Sequence, residues 1–379
     1  MRIAILGPFF FPQVDGVEKV MLFHARHLAA RGHEVHVVTS RLRYPTGSFP
    51  DAPAFEMLDG VRVHRLEVAI ANPHWRLRQE YTGNGGVLVR GLGRKLAEIA
   101  PDVLHAHQVN APAWALGAAW HARRHGRPFF YSPHFHPNEA PRGRRALWLV
   151  RAMNRLPLRT ARTVFHLTRR DIAPFLAEYP EADPARQEVL PNGVEPPPPF
   201  APKPARAGFR LLFVGRVDEH RKGFDLLRAA FAQARAPGWQ LEVVGRIAEE
   251  TRASLTAEFG DAVTVRGLVS EAELDAAYAA ADLFVMPSRY EGFGIPYIEA
   301  MRHGTPVVGT TAGGIPEVVP EGTGVLVPPD DVPALTAALT ALADDPARRA
   351  AMGAAGHAWA EGFAWPRVVD RLEAAYRAA

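Results

Sequence analysis

Two glutamates eight residues apart, Glu291 and Glu299, flank the run Gly292, Phe293, Gly294, Ile295 and Pro296. Proline at the first helical position wastes no hydrogen bond, so a helix is expected to start at Pro296. The glycine turn before it then aims backbone N–H groups and the positive helix end at one point, which suits a phosphate. With Glu291 at the strand-to-helix turn and Glu299 in the first helical turn, both carboxylates can accept the paired hydroxyl hydrogens of a ribose or a sugar. Taken singly, Glu299 reads as a partner of the helix dipole and Glu291 as a solvent-facing turn residue. Their spacing about a glycine loop argues for the joint role.

A second group lies between Leu211 and Leu227, where Arg216 directly follows an apolar strand and Lys222 comes six residues later, ahead of Gly223 and a helix. Two cations at a strand mouth neutralise a diphosphate, the guanidinium through a paired contact and the ammonium as a point charge. Near the amino terminus, Gly16 precedes a helix opening at Val17, and a backbone without Cβ lets a ligand oxygen come close. No G-x-G-x-x-G follows the first strand and no G-x-x-x-x-G-K-[ST] occurs anywhere, which argues against dinucleotide redox and P-loop chemistry.

These residues need strands and helices to hold them, and the chain supplies the pattern twice. In the front half, strands are expected at Arg2 to Leu6, Glu34 to Thr39, Val61 to Leu66, Val103 to His107 and Phe129 to Ser132. In the back half they are expected at Arg210 to Val214, Leu241 to Val244, Val263 to Arg266, Leu283 to Met286 and Pro306 to Gly309. Helical spacing between them, as in Val17 to Arg31, gives an α/β class with two doubly wound parallel sheets. Ligands of such sheets lie beyond the carboxyl ends of the strands, so the cleft between two such domains is the expected site.

Composition narrows the chemistry. The 379 residues include no cysteine, which excludes disulfides, thiolate catalysis and Cys-ligated zinc or iron–sulfur centres. No apolar run reaches the ~18 residues of a membrane span. Ile3 to Phe11 lacks a cleavage signal and reads as a buried strand, so a cytoplasmic protein is expected. The net charge of +4 hides an asymmetry: 26 Lys and Arg against 17 Asp and Glu up to Glu195, then 18 against 23. The change falls at residues 196–204, whose six prolines read as a stiff linker. This gives an N-terminal domain over 1–195 and a C-terminal domain over 205–364. An amphipathic helix, Trp365 to Ala379, closes the chain.

Taken together, Gly16-Val17, Arg216 with Lys222, Pro191-Asn192-Gly193-Val194 and the run EGFGIPYIEAM…GTPVV…GGIPEVV resemble the retaining glycosyltransferases of the GT-B fold, family 4 (glycosyl transferases group 1). The likeness covers nearly the whole chain. It implies two Rossmann-like domains, a nucleotide-diphospho-sugar donor held by the C-terminal one, an acceptor on the N-terminal one, and a final helix crossing back to the first domain. It implies Glu299 on the ribose, and Arg216 and Lys222 on the diphosphate. Glu291 and the Gly292, Phe293, Gly294 and Ile295 backbone would hold the transferred sugar and distal phosphate, and Gly16 would reach the same diphosphate. A histidine near the sugar's outer hydroxyl matches His134, with His136 two residues on as the rival. Two histidines without a carboxylate fall short of a metal site, and none is expected. The base is expected against the backbone of Gly245, Arg246, Gly267, Leu268 and Val269. We place His105 and His107 on opposite faces of their strand, with only His107 at its carboxyl end able to meet a ligand, and take His24, His27, His33 and His36 as surface or satisfied structural residues.

The acceptor is less legible. Ala140 to Arg170 carries nine arginines, from Arg142 to Arg170, and no acid, interleaved with Leu147, Trp148, Leu149, Val150 and Met153. It reads as a solvated helix face, as a patch for an anionic membrane surface, or as the site of an anionic soluble acceptor. Trp75 to Gly93 reads as a loop at the cleft rim. A nucleotide-sugar epimerase and a noncatalytic nucleotide-sugar binder are the competing readings; Arg216, Lys222 and Glu291 together favour a transferase. A pyridoxal-phosphate phosphorylase would need a spare lysine, and beyond Glu195 only Lys203 and Lys222 occur. Nothing points to nucleic acid.

Overall fold

The computed structural model describes residues 1–12, 16–42, 51–70, 87–135, 144–203 and 208–379. Two compact units emerge, one of Met1–Pro191 with Trp365–Ala379, the other of Asn192–Ala364.

In the first unit the strands are β1 (Arg2–Leu6), β2 (Glu34–Ser40), β3 (Phe55–Leu58), β4 (Val61–Leu66), β5 (Val68–Ile70), β6 (Val87–Val89), β7 (Val103–His107), β8 (Phe129–Ser132), β9 (Thr163–His166) and β10 (Gln187–Val189). Eight of them form one sheet in the order β10-β9-β8-β7-β1-β2-β4-β3, parallel except for the β3–β4 pair; β5 and β6 pair separately. Strand residues alternate between two cores. Ala4, Leu6, Val38, Leu104 and Ala106 face Leu96, Trp114 and Leu158 from the helices Leu92–Ile99, Pro112–His125 and Arg144–Thr160. Ile3, Ile5, Val35 and Val37 face the helix Gly16–Ala30 and the last helix, Trp365–Arg377. In that last helix Trp365, Val368, Val369 and Leu372 are fully buried and Tyr376 nearly so, which places the chain's end in the first unit's core.

The second unit adds β11 (Phe209–Val214), β12 (Trp239–Val244), β13 (Val263–Gly267), β14 (Leu283–Val285), β15 (Val307–Thr310) and β16 (Gly324–Val327), all parallel in the order β13-β12-β11-β14-β15-β16. The order turns round between β11 and β14, the place where an open parallel sheet leaves a crevice.

The structure departs from expectation in three places. The proline-rich stretch is no free linker: residues 192–203 belong to the second unit. Val194 bridges to Ala364, His357 donates to the Pro198 carbonyl at 2.8 Å, and the Phe200 ring lies tilted against His357, centroids 5.1 Å apart. Lys203 Nζ donates to the carbonyls of Ala279 and Ala281 and the Thr305 hydroxyl, capping the carboxyl end of the helix Glu271–Ala280. Proline supplies no N–H, but its carbonyls and ring still pack. The segment from Trp75 enters β6 by Val87 and a helix by Leu92, while 71–86 lie outside the described residues. Five strands (β3, β5, β6, β9 and β10) were unmarked in the front half and β16 in the back, all short or at sheet edges.

Candidate active site

In the second unit, the loops leaving β11, β12, β14 and β15 are pressed together by glycines at their contact points. Gly245 (φ 133°) sits so close to Gly215 that a Cβ would stand 1.9 Å from that carbonyl oxygen. Gly223 (φ 68°) would come 2.0 Å from the Pro287 oxygen and Gly313 (φ 53°) 2.2 Å from the Glu291 oxygen. The Gly314 N–H donates to that Glu291 oxygen at 2.9 Å. A side chain at any of the three would clash with backbone in a φ region that L residues rarely adopt, so glycine is required. These contacts bring the ends of strands distant in sequence to one place.

There Lys222 Nζ donates to Glu291 Oε1 at 2.6 Å, and the Ser288 hydroxyl reaches the same oxygen at 3.2 Å. Glu291 is only 7% exposed. Burial alone would push its carboxyl up, but the Lys222 ammonium outweighs that and holds it below the usual carboxylate range. The pair is desolvated, so each charge depends on the other. Arg216 is exposed at the mouth of β11, with Glu219 Oε2 at 3.4 Å. Arg221 donates to Glu219 at 2.8 Å. Arg289 braces the rim, bonding Asp225, Asp330 and the His220 carbonyl.

The helix after the glycine turn is Ile295–Arg302, capped by Gly294 at φ 84°. Pro296 therefore takes its second position, and Glu299 falls in the second turn, both one step later than expected. Gly294 is needed because a Cβ there would meet the Tyr297 ring at 2.6 Å; Tyr297 is itself tied through its hydroxyl to the Met286 carbonyl. Glu299 accepts from the Tyr278 hydroxyl at 3.1 Å, which fixes one carboxylate oxygen. Gly292 and Phe293 are buried behind the turn. Beyond β12 and β13, Arg246 is exposed, Val269 partly so, and Leu268 is 73% exposed, an apolar side chain standing in solvent at a strand's carboxyl end. Most of these residues were named from sequence, but Gly223 only as the residue ahead of a helix and Gly313 only within the GGIPEVV run, and Ser288 was missed; the Ser288 to Glu291 spacing was the available signal.

In the first unit Gly16 and Val17 open the helix Gly16–Ala30, and a Cβ on Gly16 would meet nothing within 4 Å among the described residues. His107 Nδ1 and His134 Nε2 lie 2.9 Å apart, within hydrogen-bond distance. His105 and His107 lie on the same face, ring centroids 4.3 Å apart, which corrects the expectation of opposite faces: side chains alternate, so residues two apart on a strand agree. His24, read as a surface or satisfied structural residue, is structural, but neither of its ring nitrogens finds a hydrogen-bond partner among the described residues. It is buried beside His105, His107 and Trp365, and burial, with His27 adding to it, takes its imidazole down to about 3. His136 lies outside the described residues. Of the arginine-rich segment, Arg142 does too; Arg151 pairs with Glu178 at 2.7 Å and Trp148 is 65% exposed. Among the described residues no helix is long and apolar enough to cross a membrane, and no group of three or more His, Asp or Glu side chains is placed so that it could hold a metal ion.

Known proteins share the family and fold of this chain. Residues 208–345 match the family model "Glycosyl transferases group 1" and residues 15–193 match "Glycosyl transferase 4-like domain". A D-inositol 3-phosphate glycosyltransferase of Kineococcus radiotolerans is 32% identical over 100% of this chain and 95% of its own length. Among solved structures, sucrose-phosphate synthase from Thermosynechococcus elongatus superposes with a TM-score of 0.77 at 25% identity, covering 99% of this chain and 98% of that one. Anabaena HepE in complex with UDP gives 0.73 at 18% identity over 100% of both chains. The glycine-clamped crevice holding Lys222 and Glu291 thus belongs to an enzyme that uses nucleotide sugars, and the chain is a member of the group 1 glycosyltransferases with the GT-B fold.

Proposed function

We propose that this enzyme moves a hexose-type sugar from a nucleotide-diphospho-sugar to an acceptor hydroxyl with retention of anomeric configuration and without a divalent metal. The observation that carries the reading is the Lys222–Glu291 pair, 2.6 Å apart at the switch point of the second sheet beside a glycine-capped helix start. When the bond from the anomeric carbon to phosphate breaks, its electron pair leaves with the diphosphate. Arg216, Lys222 and the N–H groups at Gly294 and Ile295 supply positive charge in place beforehand. Glu291 keeps Lys222 aimed and accepts hydroxyl hydrogens of the transferred sugar. Glu299, fixed by Tyr278, takes the ribose, and Leu268 and Val269 with the Gly245 and Arg246 backbone take the base. Gly16 serves the diphosphate and His134 a sugar hydroxyl. The acceptor oxygen bonds the same face of the sugar that the phosphate leaves, and its proton passes to that phosphate.

The curated relative acts, by its name, on an inositol phosphate, so phosphorylated polyols are the first acceptors to test. Contact of the 142–170 segment with an anionic membrane rests on exposed Trp148 and is read by vesicle sedimentation. The deciding experiment incubates the enzyme with a panel of nucleotide sugars and acceptors, with and without a chelator. Expected are nucleoside diphosphate and an α-linked product from an α-linked donor, unaffected by the chelator. An epimerised nucleotide sugar would overturn transfer, and a trapped glycosyl-enzyme would overturn front-face attack.

A further inference from the structure

The carboxyl ends of β7 and β8 continue side by side past the sheet: the Gln108 N–H donates to the Ser132 carbonyl at 2.9 Å and the Val109 N–H to the Pro133 carbonyl at 2.7 Å. This brings His134 beside His107, ring planes 19° apart and centroids 5.2 Å apart. His134 has φ 45°, the left-handed region, a conformation that persists in a non-glycine residue only where its surroundings impose it. His107 is completely buried, and burial holds its imidazole far below its ordinary value, so it is neutral and carries a single N–H. Its Nε2 finds no partner among the described residues, while its Nδ1 faces His134 Nε2 at 2.9 Å. A proton on Nε2 would be a buried donor with nothing to donate to. A proton on Nδ1 leaves only an idle lone pair, the cheaper arrangement.

The geometry points to His107 as a positioning residue that fixes the tautomer and ring orientation of His134: His107 Nδ1–H donates to His134 Nε2, and His134 therefore meets its ligand with an Nδ1–H donor. The support extends backwards. His105 lies against His107 and is itself held by the Tyr376 hydroxyl at 2.6 Å and the Ser132 hydroxyl at 2.8 Å, so the last helix of the chain braces the histidine stack. With its Nε2 occupied, His134 cannot serve as a base there. It acts as a hydrogen-bond donor to an oxygen of the transferred sugar, a role that rests on the function proposed above.

Asparagine at 107 places an amide nitrogen where Nδ1 stands, whereas glutamine places it near Nε2 and leucine has none. In ¹⁵N-histidine spectra of the full-length protein, His134 is expected as the Nδ1–H tautomer in the wild type and in His107→Asn. It should become Nε2–H or a mixture in His107→Gln and His107→Leu. Turnover with a working donor should fall about tenfold to a hundredfold in the latter two, with the donor KM within about twofold, and recover largely in His107→Asn. An unchanged tautomer in both defective variants, or equal loss in all three, overturns the proposal. Should His107→Leu fail to fold, the Asn and Gln pair alone decides. Full activity in His134→Ala would remove the role of His134 on the sugar and leave the tautomer measurement to decide on His107.

Discussion

At the scale of single residues, the Lys222–Glu291 pair is structural and, on the proposed reading, chemical as well, and the two contributions separate in a double-mutant cycle. Lys222→Met leaves a buried carboxylate without its counter-ion and should cost about 3 kcal/mol in urea unfolding. In a Glu291→Gln background the same change should cost less than about 1 kcal/mol, since no buried charge is stranded. Either single change should lower turnover by about two orders of magnitude on the proposed reading. Equal stability costs in both backgrounds would show that the pair is not coupled. Gly16 gives the opposite test. Because a Cβ there meets nothing within 4 Å among the described residues, Gly16→Ala should leave the melting temperature unchanged or slightly raised while weakening transfer, and intact transfer would remove Gly16 from the diphosphate. Residue types and spacings were enough to name Glu291, Arg216 and Lys222, because charge at a strand end has few structural uses. That Lys222 bonds Glu291 was not legible: the two are separated by 69 positions, and sequence alone does not reveal which long side chains meet.

At the scale of elements, the loops at the carboxyl ends of β11, β12, β14 and β15 form a unit because glycines let their backbones touch. Gly313→Ala combines a left-handed φ with a contact of 2.2 Å to the Glu291 oxygen. It should destabilise the second unit by more than about 2 kcal/mol and weaken nucleoside diphosphate binding with it. Gly322→Ala, at φ 86° with nothing within 4 Å, carries the backbone strain alone and should cost about 1 kcal/mol with binding unchanged. Equal effects on binding would show that the Gly313 contact does not shape the site. The central strands were readable because apolar runs of four to seven residues between polar turns have little else to become. Short edge strands such as β10 and β16 were not, since pairing with a neighbour defines them more than their own pattern does. The proline-rich stretch misled for a related reason: composition reports stiffness, whereas docking depends on partners such as His357 and Thr305 far along the chain.

At the scale of the whole molecule, the last helix is fastened to the first unit by polar as well as apolar contacts. Glu373 accepts from Arg31 at 2.8 Å and lies 2.9 Å from His33 Nε2. Hydrogen bonds from Arg31, Arg377 and His33 lower its carboxyl to about 2, from 4.5. The stabilisation is therefore complete above pH 4.5 and disappears as the pH falls towards 2. Glu373→Gln should lower the melting temperature at pH 7 and make no difference near pH 2; a pH-independent effect would rule out the charge as its source. Ending the chain at Ala364 removes Trp365, Val368, Val369, Leu372 and Tyr376 from the core. At about 1.5–3 kcal/mol per large apolar side chain, that loss rivals the whole stability of a typical domain. The first unit's unfolding transition should vanish while that of residues 192–364 persists. The sequence showed this helix to be amphipathic, but only the resemblance to a family said where it docks.

That docking also orders events during synthesis. Residues 1–191 are made before the second unit, yet their core is closed by residues 365–377, which are made after it. At ~5–20 residues per second, residues 192–364 take on the order of ten to thirty seconds to appear. For that interval the earlier unit waits with an apolar face uncovered while the later one can already fold. A ribosome-stalled chain should therefore offer a chaperone its amino-terminal half until the final helix emerges.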